Sequence, residues 1–162
     1  MFLNPRPNTM KPNTYTQLYI HLVFAVKNRS SLIQPHFREE VERYITGMVQ
    51  NKNHKMLAIY LMPDHAHILL GFNPKYAISD TVHLIKTEST DFIKDKSFTH
   101  FKFNWQDGYG AFSHSRTELN KVITYILNQE EHHRKRSFKT EYLAILKKYD
   151  IEFKEEYLFE FL

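Results

Sequence analysis

Between Gln17 and Val26 the chain alternates in a way that few folds accommodate. Leu18, Ile20, Leu22, Phe24 and Val26 fall on one parity; Gln17, Tyr19, His21, Val23 and Ala25 fall on the other. A period of two sends the two sets to opposite faces of a strand, so one face is entirely apolar and needs a packed layer over it. His21 lies on the less apolar face and is read as structural. The elements that follow must supply the layer. Phe37 to Gln50 carries Phe37, Val41, Tyr44, Ile45 and Met48 at helical spacing, with Pro35 near its start. Met56 to Met62 reads as a second strand, Pro63-Asp64 as a tight turn, and His65 to Phe72 as a returning third strand.

The second half repeats the theme. Ile78 to Lys94 is predicted helical, with Val82, Ile85, Phe92 and Ile93 inward. Phe98 to Trp105 is short and aromatic and supplies the fourth strand, followed by a glycine-containing turn over Gln106 to Gly110. Ser115 and Glu118 stand at capping-box spacing and open a helix running to about Arg136. A last helix, about Lys139 to Tyr149, leads into an aromatic tail with Phe153, Tyr157, Phe159 and Phe161. The order strand, helix, strand, strand, helix, strand, helix predicts an α+β fold, a ferredoxin-like antiparallel sheet with helices packed on it. Residues 1–14, with Pro5, Pro7 and Pro12 among polar neighbours, read as a flexible arm, and 15–162 as one domain.

Composition narrows the function classes. The absence of Cys excludes a disulfide framework, a thiolate metal site and a cysteine nucleophile. No apolar run approaches the roughly 18 residues that a membrane helix needs, and residues 1–11 lack an apolar signal core, so a cytoplasmic protein is expected. Lys and Arg number 22 against 18 Asp and Glu, a net charge of +4 that permits a nucleic-acid partner without establishing one. Thirteen Phe, ten Tyr and one Trp are available either as core or as platforms for bases; Trp105, Tyr109 and Phe112 are open to both readings. There is no glycine-rich phosphate loop and no Ser-His-Asp arrangement.

Three features carry chemistry. His65 and His67 flank Ala66 at the start of a strand, so their imidazoles stand side by side on one face. Such a pair chelates a divalent metal, or is simply a pair of satisfied histidines. Tyr125 and Gln129 lie four residues apart on the capped helix, hence on one face. Beside the core stripe Leu119, Val122, Ile123 and Ile126, Tyr125 reads as a boundary tyrosine able to offer its hydroxyl to a cleft. His132, His133, Arg134, Lys135 and Arg136 form a basic run, either a solvated helix end suited to the macrodipole or a phosphate-contacting patch. Together the three suit metal-assisted phosphoryl transfer with tyrosine as nucleophile.

The segment Met62-Pro63-Asp64-His65-Ala66-His67-Ile68-Leu69-Leu70 resembles the HUH motif of single-tyrosine transposases. These enzymes belong to the smallest bacterial insertion sequences and include relatives associated with extragenic palindromic repeats. Tyr125-Ile126-Leu127-Asn128-Gln129 with Glu130-Glu131-His132-His133 resembles the family's catalytic helix, and Trp105 to Ser113 the segment before it. The likeness runs from about Tyr15 to Phe138. Asp64 stands where many relatives have Asn.

The resemblance implies that Tyr125 is the nucleophile and that His65, His67 and Gln129 hold a divalent metal, Mg²⁺ or Mn²⁺, against the scissile phosphate of single-stranded DNA. Attack would leave a 5′-phosphotyrosine and a free 3′-hydroxyl, and no nucleotide cofactor is needed. The donor set alone, two imidazoles and an amide oxygen, favours Mn²⁺ or Zn²⁺, and Mn²⁺ is expected to support activity well. Hairpin-bearing DNA ends and a homodimer that can share active sites are implied in the same way. Two alternatives stand beside the transposase. One is a host-adopted single-strand endonuclease and ligase; the other is a non-catalytic single-stranded nucleic-acid-binding module.

Overall fold

The computed structural model describes residues 13–29 and 32–159. Four strands form one sheet: β1 (Tyr19–Ala25), β2 (Lys55–Leu61), β3 (His65–Gly71) and β4 (Gly110–His114), in the order β2-β3-β1-β4 with every neighbour antiparallel. Helices α1 (Pro35–Asn51) and α2 (Ile78–Asp95) supply the two crossovers. This is the ferredoxin-like α+β arrangement that the element order predicts. Three shorter helices follow: α3 (Leu119–Leu127), α4 (Gln129–Lys135) and α5 (Phe138–Lys148).

The apolar parity of β1 finds its layer in α1 and α2. Leu22, Phe24 and Val26 pack with Ala66, Ile68 and Leu70 of β3 against Val41, Ile45 and Val49 of α1 and Val82, Ile85 and Ile93 of α2. Pro35 at the start of α1 and buried residues at every fourth position from Phe37 explain why that helix forms and which side it buries. The opposite face of the sheet is also covered. Ala58 and Leu69 pack there with Ile126, Val122 and Leu119, so α3 roofs the face on which His21, His65 and His67 stand.

Two elements differ from expectation. The fourth strand is Gly110–His114, not Phe98–Trp105. The aromatic stretch spends its side chains elsewhere, with Phe98 stacked on Phe37 at 4.7 Å, Trp105 Nε1 donating to Ser89 Oγ at 2.9 Å, and only a single bridge to Val26. Gly110 fits the true strand because a Cβ there would lie 2.8 Å from the Tyr142 hydroxyl and 2.9 Å from the Phe112 ring. The predicted Ser115–Arg136 helix is broken. After the turn Arg116–Glu118, α3 ends at Leu127, and Asn128 (φ −98°, ψ 25°) redirects the chain into α4. Asn competes for its own backbone groups and is a poor helix interior residue. The redirection turns Gln129 inward to full burial.

The tail docks through Phe159, which packs on Phe138 and Tyr142 of α5, whereas Phe153 and Tyr157 are exposed. Apart from Asn13 and Thr14, the predicted N-terminal arm lies outside the described residues, as do Phe161 and Leu162. Among the described residues no helix is long and apolar enough to cross a membrane.

Candidate active site

Strand β3 is flanked by β1 and β2, so residues on it are held rigidly, and its alternation decides the site. Ala66, Ile68 and Leu70 enter the core; His65 and His67 emerge on the other face, opposite Ala25 and Val23 of β1. Both imidazoles are fully buried, and each has its Nδ1 engaged by a neighbour. His65 Nδ1 lies 2.7 Å from Asp64 Oδ1, and His67 Nδ1 lies 2.9 Å from His21 Nε2. The turn that delivers Asp64 is closed by Met62 N–H donating to the His65 carbonyl at 2.8 Å. With both Nδ1 atoms occupied, both Nε2 atoms are left for the interior of the site.

Two further donors meet them there. His133 of α4 and Glu141 of α5 bring their ligand atoms together with those of His65 and His67 so that all lie within 4.8 Å of one another. Glu141 Oε1 is 2.8 Å from His67 Nε2 and Oε2 is 2.8 Å from His133 Nε2. Neither Glu141 oxygen, nor the Nε2 of His65 or His67, is in a hydrogen bond of good geometry. Buried polar atoms left this way are costly without a partner, and their convergence fits a divalent cation. Burial lowers the His65 pKa to about 4 despite the opposing effect of Asp64, keeping the ring neutral as a ligand must be. Burial pushes the Glu141 carboxyl up, but His133 and His67 outweigh it and hold it well below the ordinary carboxylate range.

Tyr125 hangs from α3 over this cluster. Its ring stands edge-on to His67 at 5.8 Å and to His21 at 6.4 Å, with the ring of His132 4.9 Å away. The hydroxyl is buried and in no hydrogen bond of good geometry. Burial, and next the charge of Glu141, push its pKa well above the ordinary tyrosine value. Gln129, one turn later, donates from Nε2 to the Tyr125 carbonyl at 3.2 Å and sets Oε1 3.1 Å from His133 Nε2. A cavity of about 310 Å³ opens beside Tyr125, with Lys121, Arg136, Lys148, His114 and Tyr149 among its walls.

The structure therefore brings Tyr125, His65, His67 and Gln129 to one place; spacing puts each pair on a common face, and only the resemblance implied that the pairs meet. The basic run divides. Arg134 and Lys135 are exposed and reach Glu131 at 3.4 and 3.2 Å; Arg136 borders the cavity; His132 lies against Tyr125; His133 is drawn into the cluster instead of facing outward. Sequence reasoning passed over His133 as a member of this cluster, although it is four residues beyond Gln129 and so shares its face. It also passed over Glu141, whose trace was an acid inside the apolar stripe Phe138, Tyr142, Ile145 and Leu146.

A family model described as "Transposase IS200 like" matches residues 14–129. Over 73 residues the chain is 29% identical to the ISDra2 transposase TnpA of Deinococcus radiodurans, a match spanning 45% of this chain and about half (52%) of that protein. Among solved structures, the fold is similar to that of a candidate transposase from Deinococcus radiodurans, with a TM-score of 0.58 and 21% identity over 75% of this chain and 97% of the other. It is equally similar, at a TM-score of 0.58 and 15% identity, to a REP-associated tyrosine transposase bound to a REP hairpin, over 77% of this chain and 74% of that one.

Proposed function

The chain belongs to the IS200-like transposase family, and on that premise we propose that it cleaves and rejoins single-stranded DNA at hairpin-bearing ends with Tyr125 as nucleophile. The observation that carries this reading is the placement of a buried tyrosine hydroxyl, in no hydrogen bond of good geometry, beside paired imidazoles whose ligand atoms converge with those of His133 and Glu141. A structural tyrosine in such a place finds a hydrogen-bond partner.

His65 and His67, with the Gln129 amide beside them, would hold a divalent cation, Mg²⁺ or Mn²⁺, which when bound supplies charge stabilisation at the scissile phosphate. The remaining work falls to the chain's own residues. The Tyr125 oxygen attacks phosphorus in line; the bond to the 3′ oxygen breaks; a 5′-phosphotyrosine and a 3′-hydroxyl result. The phenol gives up one proton and the departing 3′ oxygen takes one up, so the step is proton-neutral; the charge of Glu141 opposes the loss from the phenol, and a bound cation would offset it. Burial of the hydroxyl excludes water from the covalent link, so a 3′-hydroxyl from another cut strand can reverse the step and join new ends. Arg136 and Lys121, on the rim of the cavity next to Tyr125, suit the adjoining backbone phosphates. The hairpin substrate is supported by the REP hairpin held by the structural neighbour. A homodimer is proposed on the resemblance alone.

The test is a covalent-adduct assay with labelled single strands from the DNA flanking the gene, with Mn²⁺ or Mg²⁺. Wild type is expected to form a denaturation-resistant adduct that Tyr125→Phe loses, by on the order of 10³-fold or more, while strand binding persists. Tight binding without any adduct would replace the proposal with a binding-only descendant. An adduct that survives in Tyr125→Phe would assign the nucleophile elsewhere.

A further inference from the structure

We infer that the metal centre of this chain takes two donors beyond those of the His65–His67 pair and Gln129, namely His133 of α4 and Glu141 of α5, so that a bound cation fastens the C-terminal limb to the sheet. Both donors lie beyond residue 129, outside the segment that matches the family. Three observations carry the inference.

First, the donors converge closely enough to share one ion. The four donor atoms lie within 4.8 Å of one another and the Glu141 oxygens approach two imidazole nitrogens at 2.8 Å, yet neither oxygen is in a directed hydrogen bond. Second, the donors are oriented from behind: Asp64 occupies His65 Nδ1, and His21 occupies His67 Nδ1. Gln129 Oε1 accepts a hydrogen bond from His133 Nε2 at 3.1 Å, a bond that a cation held by both would replace. Third, Glu141 is a carboxylate buried in the apolar side of α5, beside Phe138 and Tyr142, met at 2.8 Å by imidazoles that are neutral when they act as ligands, so that a bound cation would supply the countercharge.

Three imidazole nitrogens and one carboxylate oxygen form a borderline set, which suits Zn²⁺, Co²⁺ or Mn²⁺ better than Mg²⁺. The inference deepens the proposed function, since it concerns the same centre, but binding measured without DNA tests it separately from strand cleavage.

The experiment uses the full chain, stripped by chelation and then titrated with Co²⁺, Zn²⁺ and Mn²⁺. One Co²⁺ per chain is expected, with visible bands of a low-coordinate nitrogen–oxygen site. Its paramagnetic proton spectrum should show shifted signals from three imidazoles; signals from only two would overturn the role of His133 without recourse to any variant. Glu141→Gln and His133→Ala are each expected to weaken binding about 10-fold or more, with the exposed Glu152→Gln unchanged. Hydrogen exchange over residues 138–148 should slow on adding metal to the wild type and not to Glu141→Gln. Equal affinity and equal protection in the two would overturn the inference. If Glu141→Gln fails to fold, Glu141→Asp serves, and an unaltered Co²⁺ spectrum there counts against ligation. Metal locking without any strand cleavage would sustain the inference and remove the proposed function. Cleavage with two-imidazole binding would do the reverse.

Discussion

At the scale of the residue, His21 shows what a neighbour does for His67, a proposed ligand. It neither faces the cluster centre nor bears charge, since burial, followed by the proximity of His67 and His114, holds its pKa well below the ordinary histidine value. What it does is hold His67 Nδ1 at 2.9 Å, with the two rings stacked at 5.2 Å, so that only Nε2 of His67 can turn inward. Removing such a partner costs roughly 10- to 100-fold in metal affinity. His21→Ala is therefore expected to weaken Co²⁺ binding by that factor with little change in fold, and His21→Gln, which keeps a hydrogen-bonding group, to restore part of it, as calorimetry would show. The parity of His65 and His67 was legible because it follows from strand period alone. The partnership of His21 was not, because it depends on the register between β1 and β3, and those two residues stand 46 positions apart.

At the scale of the element, α3 must present Tyr125 from a fixed start. Ser115 and Glu118 form a capping box there: the Ser115 backbone N–H donates to Glu118 Oε2 at 3.2 Å, and the Ser115 side chain serves the other direction. Ser115→Ala is expected to destabilise the protein by about 1 kcal/mol in chemical denaturation and to lower the rate of adduct formation without changing the nucleophile. This box was readable because caps are local in sequence. The break at Asn128 was not, since the helical pattern continues beyond it to about Arg136. Just past the bend Gln129 is fully buried, with its Oε1 3.1 Å from His133 Nε2. The fourth strand was misplaced for a related reason. Phe98 to Trp105 has strand-forming aromatics, but α1 and α2 claim them, and the short segment around Gly110 pairs with β1 instead.

At the scale of the molecule, the two faces of the sheet separate stability from chemistry. Far from the site, His54 is buried between Phe72 and Thr81 with its Nδ1 accepting from the Asn73 N–H at 3.0 Å. Burial lowers its pKa, so the unfolded chain binds a proton more readily than the folded one. The stabilisation is complete above the unfolded value, near 6.5, and is lost as pH falls through the lower folded value. Thermal melting should therefore decline from pH 7 to pH 5, with a smaller decline in His54→Gln. Charge is distributed unevenly as well. Arg134 is offset by Glu131, whereas Arg136 forms no ion pair among the described residues. Arg136→Gln should weaken single-strand binding and flatten its salt dependence by roughly one charge, with Arg134→Gln smaller on both counts. The alternation of β3 has a further result for how such a gene can vary in length. Inserting or deleting one codon between His65 and His67 would put the two imidazoles on opposite parities, sending one toward the α1–α2 layer, so folding and the proposed chemistry would fail together. A change of two codons would keep the parities and shift only the register, leaving a folded chain whose histidines miss their partners. Codon changes between the two histidines are thus expected to sort into two phenotypes, misfolded and folded but inert, according to whether their number is odd or even.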